Sequence, residues 1–388
     1  MLDIRKKSAT EWKIPLYKVL VDKDDVRIVS KVIKRGSYWA IGPEIEEFEE
    51  QLANYVGTDY CATFNSGTSA GHAALISCDV KTKDEVIVPS FTFISTANWV
   101  KMVGAKPRFC DIEEETLGMD PAQVKKNFTK RTKIIMPVHY AGLPCKIKEI
   151  SAFAKSKKTI LIEDAAESIG SSINKKKIGS FGNLGVFSFA GNKVLTTGEG
   201  GAITTNSKKI FDKLKLVRSH GRLDRHNYFA SITKPNYTSL GYNWRMSSIT
   251  AAVGLSQLSK IDKLINLRRK KAKYLSLRLE KFKKIKLHRE SNAAIHTYQL
   301  YSIRLSNTNE RDHMIQFLAK KGIMSKVFFY PVHLSTFYNK NQNTRNSSLK
   351  KTELVSSTIL SLPMFPGLKL EEMKYIIDSI GEFFEVSK

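Results

Sequence analysis

Glu163-Asp-Ala-Ala-Glu-Ser-Ile-Gly170 and Val186-Phe-Ser-Phe-Ala-Gly-Asn-Lys193-Val-Leu-Thr-Thr-Gly-Glu-Gly-Gly201 are the stretches whose reading decides the fold of this chain. The first follows the apolar run Thr159-Ile-Leu-Ile162, which reads as a strand buried on both faces. Asp164 then falls at the carboxyl end of a central strand, where open α/β sheets bind ligands. The second sets Lys193 after another apolar strand and before a glycine-rich turn. A lysine in a tight, mostly apolar setting has its ammonium form disfavoured, which frees the amine for Schiff-base chemistry.

Taken singly these features are ordinary. An Asp after a strand is commonly a helix cap, one Lys among 63 Lys and Arg is commonly surface, and Thr-Thr-Gly-Glu-Gly-Gly could be a hairpin turn. Together, a lysine, an aspartate able to hold a proton on a pyridine ring, and glycines that cradle a phosphate are the parts of a pyridoxal phosphate (PLP) site.

Outward from these stretches the chain alternates strand and helix. Strands are expected at Tyr60–Phe64, Glu85–Val88, Pro107–Ile112, Ile134–Val138, Thr159–Ile162, Val186–Phe189 and Ala202–Thr205. Helices are expected after Asn65-Ser-Gly-Thr-Ser69 through Leu75, over Thr92–Val103 stopped by Gly104, from Asp120-Pro121 to about Phe128, and over Ile147–Ala154. Upstream, Asp22–Lys34 has helical spacing through Val26, Val29 and Ile33. After the aromatic loop Gly36–Gly42, Pro43 opens a helix with Ile45, Phe48, Leu52 and Val56 as its buried stripe and Gly57 as its stop. The alternation predicts a mostly parallel seven-stranded sheet with helices on both faces. Beyond Met246 the pattern changes. Ser248–Lys284 reads as a lysine-rich helical stretch with Ala252, Leu255, Leu258, Ile261 and Ile265 at helix spacing. Tyr298–Leu305 reads as a strand, Met314–Lys321 as a helix and Lys340–Lys351 as a solvated loop. The expected domains are residues 1–246, a large α/β unit, and 247–388, a smaller α+β unit.

Composition bounds the class. With 42% hydrophobic and 10% aromatic residues over 388 positions the chain is globular, not disordered. No apolar run is long enough to span a bilayer and the start lacks a signal-peptide core, so a cytoplasmic protein is expected. Cys61, Cys78, Cys110 and Cys145 are widely spaced, which indicates buried free thiols and neither a disulfide framework nor a metal site. The net charge of +26 would suit a nucleic-acid binder, but the basic residues are scattered or in short runs without a recognised motif. A solvated surface that also attracts a diphosphate substrate is the expectation, with nucleic acid disfavoured.

At the two opening stretches, and over nearly its whole length, the sequence resembles the DegT-type family of PLP-dependent sugar-nucleotide aminotransferases. It is most similar to the perosamine-synthase-like members, whose lysine segment has the form Phe-Ser-Phe-x-x-Asn-Lys, here Phe187 to Lys193. The resemblance implies the type I fold and a set of roles. Lys193 would hold PLP and then carry a proton as general base and acid. Asp164 would pair with the pyridine nitrogen, and Phe93 would stack on the ring. Gly67, Thr68 and Ser188 would hold the phosphate, and Asn243 would reach it from the neighbouring subunit of a homodimer. Glu167 stands where many relatives have His or Gln near the ring hydroxyl. Arg245, His220 and His333 are candidate substrate contacts, each with a structural alternative. Relatives with His in place of the lysine are dehydratases, so Lys193 disfavours that branch. The implied reaction moves nitrogen from glutamate to a nucleotide-linked 4-keto-6-deoxysugar. A 3-keto sugar or a cyclitol is the alternative acceptor, and a basic nucleic-acid-binding or regulatory protein the non-enzyme alternative.

Overall fold

Strand alternation decides the architecture. The computed structural model describes residues 12–222, 232, 234–288, 290–340 and 349–386. Its main sheet is built from β1 (Tyr60–Phe64), β2 (Glu85–Pro89), β3 (Lys106–Cys110), β4 (Thr132–Ile135), β5 (Ile160–Asp164), β8 (Leu184–Ser188) and β9 (Gly201–Thr205), in the order β1-β9-β8-β5-β4-β2-β3. Every pairing is parallel except those of β9, which runs antiparallel to both β1 and β8. Between β5 and β8 the short β6 (Ser172–Ile173) and β7 (Lys176–Lys177) form a hairpin.

Side chains alternate across each strand, so both sheet faces are apolar. Ile87, Leu161 and Phe187 point into one core, and Val86, Val88, Ile162 and Val186 into the other. The first core is covered by α2 (Pro43–Val56), α5 (Pro121–Asn127), α6 (Ile147–Ser156) and α8 (Ser248–Ser259). The second is covered by α3 (Gly67–Ser77), α4 (Ser95–Met102) and α7 (Lys208–Arg218). The expected stripe of α2 is buried in full, and Gly57 closes that helix at φ 82°. Burying each of those four side chains contributes about 1.5–3 kcal/mol. The small residues of α3 let it approach closely: a Cβ on Gly71 would lie 2.1 Å from the Trp99 ring.

A second, three-stranded sheet of β10 (Lys286–Leu287), β12 (Tyr301–Arg304) and β13 (Ile359–Leu362) shares its core with α9 (Ile261–Leu279), α10 (Thr308–Lys320) and α13 (Leu370–Val386). Further elements are β11 (Ala294–Ile295), which pairs with β6, and the helices α11 (Thr336–Lys340) and α12 (Lys350–Thr358).

Several expectations need correction. The first helix, α1 (Lys23–Arg35), forms as expected, but Val26 and Ile33 are exposed and the buried side chains are Asp25 and Val32. The lysine-rich stretch is two helices broken at Lys260, whose Nζ reaches Asp22 (2.8 Å) and Asp25 (2.6 Å) at the start of α1. All five apolar positions expected there are nonetheless buried. Helix α4 starts at Ser95 instead of Thr92, because Thr92 and Phe93 lie in a turn after β2. Of the expected loop Lys340–Lys351, residues 341–348 lie outside the described residues. The strands β6, β7, β10, β11 and β13 and the helices α7, α11, α12 and α13 have no counterpart among the expected elements, although α13 buries Met373, Ile376, Ile377, Ile380 and Phe383 at helix spacing. No helix among the described residues is long and apolar enough to cross a membrane. All four cysteines are free and buried.

Candidate active site

Asp164 ends β5 and Ser188 ends β8. The two strands run parallel with Asp164 beside Val186, so the chain carrying Lys193 leaves the sheet at the same edge. The backbone of Asp164 is fixed on both sides: its N–H donates to Pro137 O and its C=O accepts from the His139 N–H. The carboxylate is equally fixed. Oδ2 accepts from Thr96 Oγ1 at 2.7 Å and Oδ1 from the Ala166 N–H at 3.1 Å. Thr96 in turn meets Thr92 Oγ1 at 2.8 Å. Burial pushes the Asp164 carboxyl above its ordinary pKa, and the two donors together with the Lys193 charge pull it partly back.

Lys193 lies in the turn between β8 and β9, its N–H donated to Ala190 O. That turn is braced from a distant part of the chain, since Gln299 Nε2 donates to Asn192 O at 2.7 Å. The lysine is mostly buried, with Nζ 3.7 Å from Glu167 Oε1. Its setting is therefore acidic, not apolar as the sequence suggested: a residue three positions after the strand-end carboxylate folds back to meet it. The other oxygen of Glu167 accepts the Ala141 N–H at 2.7 Å. Ala141 holds that N–H in place from a left-handed conformation (φ 58°), which costs a non-glycine residue about 1–2 kcal/mol and is the kind of strain that functional sites retain. Burial raises the Glu167 pKa, Lys193 and the Ala141 amide lower it, and Asp164 raises it again.

An anion cradle lies beside this cluster. Helix α3 begins at Gly67, capped by the Ser66 hydroxyl accepting from the Ser69 N–H. Its positive dipole end and free N–H groups favour an anion. Thr68 Oγ1 meets Ser95 Oγ at 3.1 Å, which brings the first residue of α4 to the same place. Only glycine fits at the centre: a Cβ on Gly67 would lie 2.8 Å from Ser188 Cβ, and one on Gly201 would lie 2.5 Å from Ser66 O. The chain thus brings Gly67, Thr68, Ser188, Asp164, Glu167 and Lys193 together.

The other candidates are more dispersed. Phe93 is 58% exposed, its ring 6.1 Å from Phe329. Asn243 is exposed, its C=O accepting from Asn65 Nδ2 at 3.5 Å, and it bridges to Ser219 through the backbone. Arg245 Nη1 donates to Ser219 Oγ at 3.2 Å. Burial and the neighbouring Arg222 and Arg218 lower its pKa, a setting that an anion would relieve. His220 is exposed with φ 62°, and its N–H donates to Tyr242 O. His333 is buried and occupied at both ring nitrogens, 2.6 Å from Ser90 Oγ and 3.3 Å from Glu353 Oε1.

Sequence reasoning missed Thr96, Gln299 and Glu163. Two threonines four apart, Thr92 and Thr96, just after an expected strand were a usable signal for the first. Gln299 could not have been found, because it reaches Asn192 across 107 positions. Glu163 faces the opposite side of β5, where its carboxylate accepts from the Gly179, Phe181 and Gly182 amides at 3.0, 2.7 and 2.7 Å. His139 Nε2 lies 3.2 Å from the same carboxylate, while the Cys145 N–H occupies Nδ1. The ring is therefore the neutral Nε2–H tautomer donating to Glu163.

An anion cradle, a fixed carboxylate and a lysine amine on one strand edge fit a phosphorylated pyridine that carries an aldehyde. The fold and this fit define a PLP-dependent enzyme of the type I fold. Within that class the chain belongs to the DegT/DnrJ/EryC1/StrS aminotransferase family, whose model matches residues 20–381, and it is a PLP-dependent sugar aminotransferase. It is 34% identical over 371 residues to the GDP-perosamine synthase of Escherichia coli O157:H7, covering 96% of this chain and 98% of that one. Among solved structures it is similar to Helicobacter pylori PseC, an aminotransferase involved in the biosynthesis of pseudoaminic acid. The TM-score is 0.90 at 28% identity, covering 96% and 99% of the two chains. It is also similar to a Streptococcus pneumoniae structure in its PLP-form, with a TM-score of 0.87 at 25% identity over 96% and 98%.

Proposed function

We propose that this sugar aminotransferase takes its nitrogen from glutamate and delivers it to the keto carbon of a nucleotide-linked 4-keto-6-deoxysugar, giving the 4-amino sugar. The observation that carries the reading is Lys193 held between Glu167 and the Asp164 edge beside the Gly67 cradle. The likeness to GDP-perosamine synthases supports the choice of acceptor. Bound PLP supplies an electron sink for the carbon that loses its proton. The residues do the rest. Gly67, Thr68 and Ser188 bind the phosphate through backbone N–H groups and hydroxyls. Asp164, held as an acceptor by Thr96 and Ala166, grips the pyridine nitrogen. Phe93 covers one face of the ring and keeps water off it. The Lys193 amine takes up and returns the proton as general base and acid.

Asn243 completes the phosphate site of a partner protomer in a homodimer. The exposed apolar residues Val26, Ile33 and Trp39 and the exposed side chain of Asn243 support an interface. Arg245 and His220 line the substrate entrance. His333, already satisfied by Ser90 and Glu353, positions the Tyr330–His333 segment. The protein works in the cytoplasm, in keeping with its four free thiols.

Lys193→Ala is the direct test. The purified variant loses the visible absorbance of lysine-bound PLP and more than about 10³-fold of turnover, the scale of removing a catalytic base together with its covalent linkage. Full activity in that variant overturns the mechanism. Assaying nucleotide-linked 4-keto and 3-keto sugars with glutamate then decides the acceptor.

A further inference from the structure

Glu167 is set up differently from the other carboxylate of the site. Both oxygens of Asp164 accept a hydrogen bond, from Thr96 and from the Ala166 N–H, and both bonds favour its charged form. Glu167 uses one oxygen, Oε2, for the Ala141 N–H. Among the described residues the partner of its other oxygen, Oε1, is Lys193 Nζ at 3.7 Å. The group is buried, at 8% exposure. The titratable and charged neighbours that face it are few. Lys193 comes from the β8–β9 turn, Asp164 from the end of β5, and Tyr140 from the turn before Ala141. Tyr140 is committed elsewhere, its hydroxyl donating to Phe328 O at 2.7 Å and meeting Ser302 Oγ at 3.0 Å. The nearby imidazole of His139 is turned to Glu163 on the far face of the strand.

From this asymmetry we infer that Glu167 is the resting place of the proton that Lys193 gives up: the proton passes from Nζ to Oε1, and an ammonium–carboxylate pair becomes an amine–carboxylic acid pair. The step balances. One N–H bond breaks and one O–H bond forms, and the pair is neutral before and after. No charge has to enter or leave a buried site, where an uncompensated one would be costly. Burial and the negative Asp164 both favour the protonated carboxyl once the lysine charge is gone. Transfer requires the two atoms to approach from 3.7 Å to about 2.6–3.2 Å, which rotation of the flexible lysine chain provides. Asp164, its charged form favoured by two donors and with lone pairs still open, keeps its charge for the ring nitrogen. The two acids thereby divide the work, as paired carboxylates with opposed surroundings do.

The inference rests on the reading of Lys193 as the PLP-binding residue, and its test separates the two. PLP-loaded wild type, Glu167→Gln and Glu167→Asp are titrated from acid to alkaline pH, following the visible band of lysine-bound PLP. Gln keeps an oxygen for the Ala141 N–H but has no carboxylate to hold the proton. The midpoint of the Gln variant is expected to fall by about one unit or more, a tenfold change in proton affinity, with Asp closer to wild type. Each variant's thermal unfolding is expected to stay near that of the parent, which a merely structural loss would not show. A midpoint unchanged in Glu167→Gln, or the same in the Asp and Gln variants, overturns the role of Glu167 and leaves Lys193 untouched. A wild type with no visible band overturns the reading of Lys193, and the present inference with it.

Discussion

Glu163 and Asp164 are neighbours in the chain and face opposite ways, because successive side chains on a strand point to opposite sides of the sheet. One ties down residues 179–182 and the other reaches the ligand edge. Glu163→Gln is therefore expected to behave as a stability variant. It removes a charge that three backbone amides and His139 address, and urea unfolding should show a loss of about 2–3 kcal/mol. PLP binding by the folded fraction should be retained. Gly67→Ala belongs to the other class. A Cβ there would lie 2.8 Å from Ser188 Cβ, so the cradle must open. PLP affinity measured by equilibrium dialysis should drop about tenfold or more, the equivalent of the roughly 1–3 kcal/mol that overpacking costs. Both acids of the Glu163–Glu167 segment proposed to carry chemistry, Asp164 and Glu167, were legible in the sequence by type and position. The acidic company that Lys193 keeps was not, since Glu167 reaches it only through the turn that follows β5.

At the scale of elements, the break between α8 and α9 shows how charge and packing share one residue. Lys260 leaves the helix so that Leu258 and Ile261 both bury, and its ammonium ties the start of α1 through Asp22 and Asp25. Burial alone would raise the Asp25 pKa. The Lys260 ammonium, the Asp22 amide, and the Ser256 and Gln257 side chains outweigh it and hold the carboxyl below the usual 3.8. A folded pKa below the unfolded one means that the stabilisation is present above pH 3.8 and is lost as the pH falls through the folded value. Lys260→Met should lower stability near neutral pH by about 1–3 kcal/mol. It should also flatten the acid limb of a stability–pH curve below pH 3.8. An unaltered acid limb would assign the effect to helix geometry. The apolar periodicity of the stretch was correct in the sequence. The break was not visible, because nothing local marks Lys260 as different from its lysine neighbours, and its partners lie more than 230 positions away.

For the whole molecule, the proposed dimer predicts complementation. Lys193→Ala kills the site that carries the lysine, and Asn243→Asp the site across the interface. Each homodimer should be inactive or nearly so. After mixed refolding, random pairing makes half of the dimers hybrid with one intact site each, so about a quarter of wild-type activity should return. No recovery would place Asn243 in its own protomer's site or outside it. The charge of +26 predicts a salt effect on encounter: kcat/KM for a diphosphate-linked substrate should fall between 0.05 and about 0.5 M salt while kcat holds. The division at residue 246 is also a proposal. Ala251, Leu255 and Ile265 share the core of α2, while Ile14 packs with the second sheet, so proteolysis is expected to nick exposed loops before it separates two halves cut at 246. The sequence by itself determined the strand–helix alternation, the doubly covered parallel sheet and the Asp164/Lys193 pair, because periodicity and residue chemistry are local and repeat along the chain. Only the tertiary structure decided that Glu167 meets Lys193, that Gln299 braces Asn192, that Lys260 pins α1 and that His333 is satisfied. Each of those contacts joins segments whose approach is set by how apolar faces pack, and packing distance is written in no single stretch of residues.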